Sequence, residues 1–206
     1  MIELELKSVL PNLDETRKKL DALGAPLRFH GTLEDRRYDT PDRKLRHHDQ
    51  MLRLRVARDA SGGSASSGSS GFSARVEFKG PTMVQSGYKR REEIGSDVGD
   101  AEALATVLRG LGYELTMSID RVIWQYELAG AMVRLERYPR MDDLVEVEGC
   151  IADIEKAIAA LGMPREGFTS ERLRDFVWRY ETRTRQRAAV SNAALESGAN
   201  ADWLDG

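Results

Sequence analysis

Residues 2–7 read IELELK, a strict alternation of apolar and charged side chains. Successive side chains of a β-strand point to opposite faces of the sheet, so Glu3, Glu5 and Lys7 share one face and the apolar residues share the other. The opening of the chain therefore predicts a strand that is apolar on one side and charged on the other.

The same alternation returns along most of the chain. Arg53 and Arg55 alternate with apolar residues, and so do Glu146 and Glu148. Segments with this period predict strands at residues 2–9, 51–58, 72–79, 86–94, 118–128, 131–137 and 144–149. Seven or eight antiparallel strands in 206 residues indicate one large sheet that is curved or closed.

Four stretches follow the helical period instead. They cover residues 11–23, 100–111, 153–161 and 170–180. We expect them to brace the sheet from outside, in a single α+β domain over residues 1–181. Residues 60–71, rich in Ser and Gly, are predicted to form a flexible loop, and residues 182–206 a disordered tail, because neither segment can bury enough apolar surface to offset its ordering entropy.

Composition excludes several classes of protein. The chain is 41% hydrophobic and 32% charged, and no run approaches the roughly 20 apolar residues of a membrane span. Met1 leads into Glu3 rather than into a signal peptide, so we expect a cytoplasmic protein without a membrane partner. The single cysteine, Cys150, excludes an internal disulfide and a multi-thiolate metal site. A net charge of −3, without basic clusters interleaved with aromatic residues, argues against a nucleic-acid partner.

Two interpretations fit the charged strand face. A solvated face of an antiparallel sheet alternates in this way without any function. Such a face usually includes Ser, Thr and Gln, whereas these positions are almost exclusively Glu, Lys and Arg. If the sheet closes, the charged face becomes a lumen that contains Lys7, Arg53, Arg55, Arg75, Lys79, Lys89, Arg91 and Arg134 together with Glu3, Glu5, Glu77, Glu93, Glu136, Glu146 and Glu148.

A lumen of this composition suits two kinds of guest. Arg and Lys side chains around a cavity hold a small polyphosphate, with Arg as a bidentate donor and Lys as a point charge. Carboxylates two residues apart on one strand, such as Glu3 with Glu5 or Glu146 with Glu148, supply the oxygen ligands that Mg²⁺ and Mn²⁺ prefer. Together they describe a site for a metal-bound triphosphate.

Several blocks of the sequence resemble the CYTH superfamily, which groups class IV adenylate cyclases with thiamine and inorganic triphosphatases. ELELK at 3–7 is similar to the ExExK signature of that superfamily. The similarity continues in order through YDTP at 38–41, LRLR at 52–55, FKGP at 78–81, REEI at 91–94, Leu111-Gly112, Arg121 and LVEVE at 144–148. It covers residues 1–180, and the FKGP and REEI blocks look most like the class IV cyclase branch.

The resemblance implies an eight-stranded antiparallel β-barrel, a triphosphate tunnel, that binds a nucleoside, inorganic or organic triphosphate and uses Mg²⁺ or Mn²⁺. Carried over by position, Lys7, Arg53, Arg55, Lys79, Arg91, Arg121 and Arg134 would bind phosphate. The metal candidates are Glu3, Glu5, Glu136, Glu146 and Glu148, and Glu77 and Glu93 would orient the basic residues. Catalysis would depend on Glu3, Glu5, Lys7, Arg53, Arg55 and Lys79.

The residues leave the reaction open. A class IV adenylate cyclase would convert ATP to cyclic AMP and pyrophosphate, and a triphosphatase would cleave tripolyphosphate or thiamine triphosphate with water. A module that binds nucleotide or polyphosphate without turnover is the alternative of another class. Glu136 stands where the family commonly has Asp, and residues 140–143 replace its usual Gly-rich turn, so both departures bear on the metal site. A homodimer fits the family and the apolar outer strand faces.

Overall fold

The computed structural model describes residues 2–60 and 72–198, except for the side chains of Ile2, Glu3 and Gln85. This part of the chain contains nine strands: β1 (Ile2–Val9), β2 (Leu27–Asp39), β3 (Met51–Asp59), β4 (Phe72–Lys79), β5 (Met83–Gln85), β6 (Tyr88–Val98), β7 (Glu114–Leu128), β8 (Ala131–Arg137) and β9 (Leu144–Glu148). Its helices are α1 (Leu13–Ala22), α2 (Lys44–His47), α3 (Ala101–Gly110), α4 (Ile151–Leu161), α5 (Leu173–Thr184) and α6 (Asn192–Ser197), with a 3₁₀ turn at Arg165–Gly167. Among these helices none has the length and apolar character needed to cross a membrane.

Eight strands close into an antiparallel barrel. Their order is β1-β9-β8-β7-β2-β3-β4-β6, and a further pairing of β6 with β1 closes the ring. The short strand β5 pairs with β6 as an addition to the barrel. The α+β fold with an eight-stranded antiparallel barrel, predicted from the alternation and the family resemblance, is confirmed.

The apolar faces of the strands point outward and are covered by helices. Leu6 of β1, Val133 of β8 and Val145 of β9 are buried beneath α1 and α4, which contribute Leu20 and Ile154 to the same cluster. A second outer cluster joins residues of β2, β3 and β4 to α3. Because the helices occupy the outside, the charged face of the same strands is left to line the lumen.

Helix α5 packs differently, against residues on the lumen side of β7 and β9. Its Phe176 and Val177 are buried with Met117, Ile119 and Leu144. Ile119 also lines the lumen, so this helix reaches the tunnel itself rather than the outer wall. The apolar contacts of α5 therefore fix one boundary of the cavity.

The prediction of a disordered tail is wrong for residues 182–198. Helix α5 continues to Thr184, and Ala189 forms a two-way backbone bridge with Arg140 at N–O distances of 2.7 and 3.0 Å. The Val190 carbonyl accepts a hydrogen bond from the Asp120 amide at 2.8 Å. Small apolar side chains explain the order, because residues 188–190 are buried beside β7 and the connection from β8 to β9. Residues 199–206, and residues 61–71 of the predicted loop, lie outside the described part of the chain.

The sequence missed one long strand, β2, as well as the short elements α2, α6 and β5. Strand β2 pairs with β3 on one side and β7 on the other, so it is an integral part of the barrel wall. Its Asp35 and Arg37 point inward, but the outward positions between and before them are also charged, at Arg36 and Glu34. Charges on both faces hide the period of two, which is why the alternation did not reveal this strand.

Candidate active site in the barrel lumen

The barrel encloses a charged cavity of about 220 Å³. Every predicted site residue whose side chain is described lines it: Glu5, Lys7, Arg53, Arg55, Glu77, Lys79, Arg91, Glu93, Arg121, Arg134, Glu136, Glu146 and Glu148. Glu3 lies in β1, but its side chain is outside the described set. Arg75 was expected in the lumen and is not among its lining residues. It lies near the middle of β4, with its side chain 46% exposed and paired with Asp97 at 3.0 Å.

Asp35 joins three of the basic residues from different strands. It is 1% exposed, and it accepts hydrogen bonds from Arg53 Nη1 at 3.1 Å, from Arg55 Nε at 2.7 Å and from Arg121 Nη1 at 3.1 Å. Burial alone would raise the pKa of Asp35, but the three guanidinium groups lower it well below its ordinary value. Asp35 was not predicted from the sequence, because the alternation does not reveal its strand, β2.

Two of these arginines also donate hydrogen bonds to glutamates. Arg53 Nε donates to Glu77 Oε2 at 2.7 Å, and Arg121 Nε donates to Glu136 Oε1 at 2.9 Å. The second oxygen of Glu136 accepts a hydrogen bond from the Tyr138 hydroxyl at 2.6 Å. Contacts on both oxygens fix Glu136 as a support for Arg121, and Glu77 makes the contact expected of an orienting residue.

The lumen side of β6 is arranged around Arg91 and Lys79. Arg91 donates through Nε to the Gly80 carbonyl at 2.5 Å and through Nη2 to the Asp49 carbonyl at 2.7 Å. Lys79 forms an ion pair with Glu93. Backbone carbonyls and one carboxylate therefore position these two cations at the cavity wall.

Lysines and glutamates alternate where β1 meets its neighbours. Lys7 Nζ forms ion pairs with Glu5, at 3.1 Å, and with Glu146. Glu5 also pairs with Lys89, and Glu146 accepts from Arg134 Nη1 at 2.5 Å. Burial opposes the charge on Glu146, yet Lys7 and Arg134 lower its pKa well below the ordinary value.

Arg37 is a lumen cation that the sequence analysis did not name. It lies opposite Arg53 in the pairing of β2 with β3, and its buried Nε has no hydrogen-bond partner among the described residues. Burial, followed by the positive charge of Arg53, lowers the pKa of Arg37 to about 10. A buried guanidinium with an unused donor is well placed to bind an anion from the cavity.

A second cavity of about 270 Å³, here called the vestibule, adjoins the lumen. The two cavities share Lys7, Arg37, Lys89 and Arg91 among their lining residues. The vestibule adds Arg43 and Arg46 from the α2 region, Arg172 and Arg174 at the start of α5, and the largely apolar side chains of Tyr38 and Met117. It gives the tunnel a mouth that is basic but partly apolar.

The fold and the lumen define the chain as a closed antiparallel barrel with a charged tunnel. The CYTH domain model matches residues 1–161, and the chain therefore belongs to the CYTH family. This confirms the resemblance drawn from the ExExK block and the blocks that follow it.

Individual proteins similar to this chain carry names that are consistent with the family. The chain is 25% identical over 156 residues to "Putative adenylate cyclase MJ0240" of Methanocaldococcus jannaschii, covering 76% of this chain and 81% of the relative. Among solved structures, a "putative adenylate cyclase" from Vibrio parahaemolyticus superposes with a TM-score of 0.69 at 15% identity, covering 86% of this chain and 98% of that one. The Hippeastrum protein HpAC1, described as having a dominant triphosphatase activity, superposes with a TM-score of 0.56 at 16% identity, covering 98% and 97%.

Proposed function

We propose that this protein is a divalent-metal-dependent enzyme that acts on a triphosphate bound in the barrel lumen, and that its reaction is the conversion of ATP to cyclic AMP and pyrophosphate. The main support for the proposal is the set of inward cations on seven strands, most of them held in place by carboxylates and backbone carbonyls. Arg53, Arg55 and Arg121 are locked on Asp35, so their remaining donors are fixed before any anion binds.

The charge balance of the lumen supports a divalent cation. Nine basic and seven acidic side chains line the cavity among the described residues. A triphosphate carries about four negative charges near neutral pH, which is more than this surplus of basic groups neutralises. A bound Mg²⁺ or Mn²⁺ would make up the difference.

The carboxylates at the junction of β1 and β9 have the chemistry that such an ion requires. Glu5 lies opposite Glu148 in the strand pairing, and Glu146 precedes Glu148 by two residues on the same face. In residues 2–60 and 72–198, with Glu3 outside the described side chains, no three acidic, His or Cys side chains already converge on one point. We propose Glu5, Glu146 and Glu148 as the ligands, and we assign Glu136 to support of Arg121.

The cyclisation and the hydrolysis would use the same lumen. In cyclisation the ribose 3′-oxygen attacks the α-phosphorus, the bond from that phosphorus to the bridging oxygen breaks, and pyrophosphate leaves. When bound, the metal ion would neutralise phosphate charge and lower the pKa of the attacking hydroxyl. The chain's own cations would hold the phosphates in line and neutralise the charge on the leaving group.

Hydrolysis of a triphosphate is the second candidate reaction. It is favoured by the dominant triphosphatase activity reported for the Hippeastrum neighbour, whose fold this chain shares. Water would then attack the terminal phosphorus, the bond from that phosphorus to its bridging oxygen would break, and orthophosphate and the remaining diphosphate would be released.

Product analysis tests both reactions. The purified protein is incubated with ATP and, separately, with tripolyphosphate, each with Mg²⁺ or Mn²⁺ at neutral to alkaline pH, and the products are separated by chromatography. Cyclic AMP with pyrophosphate is the expected result, whereas orthophosphate from tripolyphosphate alone would assign the triphosphatase reaction. Binding of both compounds without any product would leave a non-catalytic binding module.

A pair of variants excludes contaminating enzymes. Glu5→Gln should remove turnover while it affects triphosphate binding less. Glu92→Gln, an exposed glutamate on the neighbouring strand β6, should keep wild-type turnover. Equal turnover by both variants would show that the measured activity does not depend on Glu5.

A further inference from the structure

Two lysines of the lumen, Lys7 and Lys89, differ in their partners from the three arginines that contact Asp35. Arg53, Arg55 and Arg121 converge on Asp35, which we do not assign to the metal site. Lys7 and Lys89 instead hold Glu5, and Lys7 also holds Glu146. The two lysines are therefore paired with the carboxylates proposed as metal ligands.

A divalent cation bound by Glu5 and Glu146 would lie close to the Lys7 ammonium group. Lys7 Nζ is 3.1 Å from Glu5 Oε1 and is also in contact with Glu146, so it occupies the space between the two carboxylates. Two like charges cannot share that space without a large repulsion, because the surroundings are buried and screen poorly. For the metal ion to bind there, the ammonium group has to move away.

Triphosphate provides a place for the displaced ammonium groups. A lysine is a compact charge on a flexible four-carbon stem, which allows it to change partner by rotation, whereas the bidentate arginines on Asp35 are held in one geometry. The Glu146 carboxylate keeps its contact with Arg134 when Lys7 leaves, so it is not left buried without a partner. After the exchange, each ammonium group and each carboxylate again has a partner of opposite charge.

We propose that triphosphate and divalent cation bind cooperatively through Lys7 and Lys89. The phosphates draw the two ammonium groups away from Glu5 and Glu146, and the released carboxylates then bind the cation. This inference rests on the proposed function, because it assumes a triphosphate in the lumen. The coupling is reciprocal, so the metal ion also increases the affinity for triphosphate by the same factor.

The test measures Mn²⁺ affinity of the phosphate-free protein by electron paramagnetic resonance. Replacing Lys7 by Met keeps the length of the side chain and removes the competing charge, so Lys7→Met should bind Mn²⁺ about tenfold more tightly than the wild type. Lys89→Met, which removes one lysine contact from Glu5 and leaves the Lys7 contacts in place, should show a smaller gain. Adding Glu5→Gln to Lys7→Met should abolish the gain, which locates it at the proposed ligands.

Lys156→Met is the matched control. Lys156 pairs with Asp153 at 3.4 Å on the outer helix α4, so its removal also frees one carboxylate, but outside the tunnel. This variant should keep the Mn²⁺ affinity of the wild type. An equal gain in Lys156→Met and Lys7→Met would contradict the proposal, because the effect would then follow from net charge alone.

Calorimetry with tripolyphosphate in metal-free buffer distinguishes a failure of the coupling from a failure of the proposed function. If the wild type binds tripolyphosphate and folded Lys7→Met binds Mn²⁺ no more tightly than the wild type, the coupling is wrong and the proposed function stands. If the wild type binds no tripolyphosphate with or without Mn²⁺, the proposed function fails and the coupling with it. Lys89→Met, which leaves both contacts of Glu146 intact, carries the same test if Lys7→Met does not fold.

Discussion

At the scale of single residues, Arg37 offers a direct measure of anion binding in the lumen. We expect Arg37→Met to weaken tripolyphosphate binding roughly tenfold or more, since a hydrogen bond to a charged group contributes about 1.5–3 kcal/mol. The thermal midpoint should not fall, because Nε makes no hydrogen bond among the described residues and Arg53 is a like-charged neighbour. Titration calorimetry and thermal unfolding measure the two effects.

The neighbouring arginine is the control for this prediction. Arg36 points to the outer face and pairs with Glu34 and with Glu102, the latter at 2.6 Å. Arg36→Met should therefore keep wild-type tripolyphosphate affinity. Equal affinity of Arg37→Met and the wild type would show that Arg37 does not contact the ligand.

The lowered pKa of Asp35 predicts how the stability of the fold changes at acid pH. Its pKa is lowered in the folded protein, so its contribution to stability is fully present above the ordinary value of 3.8 and is lost as pH falls toward the folded-state pKa. Asp35→Asn leaves three buried guanidinium groups without this partner and should cost about 3 kcal/mol at neutral pH. The variant should also lose less stability than the wild type when the pH is lowered from 5 to about 3.

Thermal unfolding across that pH range checks the prediction. Asp14→Asn serves as control, because Asp14 is a 61% exposed carboxylate on α1 whose contact with Arg17 is 3.5 Å long. It should follow the wild-type profile. A wild-type profile for Asp35→Asn as well would mean that another group governs the acid response.

Some lumen residues could be predicted from the sequence and others could not. Glu146 and Glu148 were placed in the lumen correctly because their strand alternates cleanly with valine. Asp35 and Arg37 were missed because Glu34 and Arg36 carry charges on the opposite face, where they pair with each other. Which carboxylate holds which arginine depends on strand register, and alternation alone carries no information about register.

At the scale of elements, the segment at residues 188–190 acts as a short added strand beside β7. We expect Ala189→Pro to lower stability by about 1–3 kcal/mol, because proline removes the buried amide of Ala189 that donates to the Arg140 carbonyl. Chemical denaturation measures the loss. A change in midpoint without a change in slope would indicate a local loss of contacts.

A proline in the next helix provides the comparison. Ala193 is exposed in the first turn of α6, where an amide has no partner within the helix and proline is tolerated. Ala193→Pro should remain close to the wild type. If both variants unfolded at the wild-type midpoint, the buried bridge at Ala189 would contribute nothing to stability.

The helices that cover the barrel wall were predicted well from the sequence. Glycines after α1, α3 and α4 marked where those helices end, and their apolar spacing placed them on the outside of the barrel. The buried tail was beyond such reasoning, since residues 188–190 are too few to show a period. Their order depends on the space that β7 and the β8 to β9 connection leave for them.

At the scale of the whole molecule, a net charge of −3 coexists with a lumen in which basic side chains outnumber acidic ones. Tripolyphosphate should therefore bind selectively and stabilise the fold, by about 2.7 kcal/mol at 100 times its dissociation constant. Orthophosphate at the same concentration should stabilise far less, because it reaches fewer of the cations. Thermal unfolding at fixed ionic strength compares the two anions, and equal shifts would indicate nonspecific anion binding.

The bridge between Ala189 and Arg140 also has a consequence for biosynthesis. β1 finds its partners in β6 and β9, and the wall beside β7 gains its last backbone contacts from residues 189 and 190. Strand β1 must therefore wait for strands made much later, and the contacts at Asp120 and Arg140 form only after Val190 has been made. Such long-range pairing folds slowly and leaves strand edges unpaired during translation, which makes the nascent chain a natural client for chaperones.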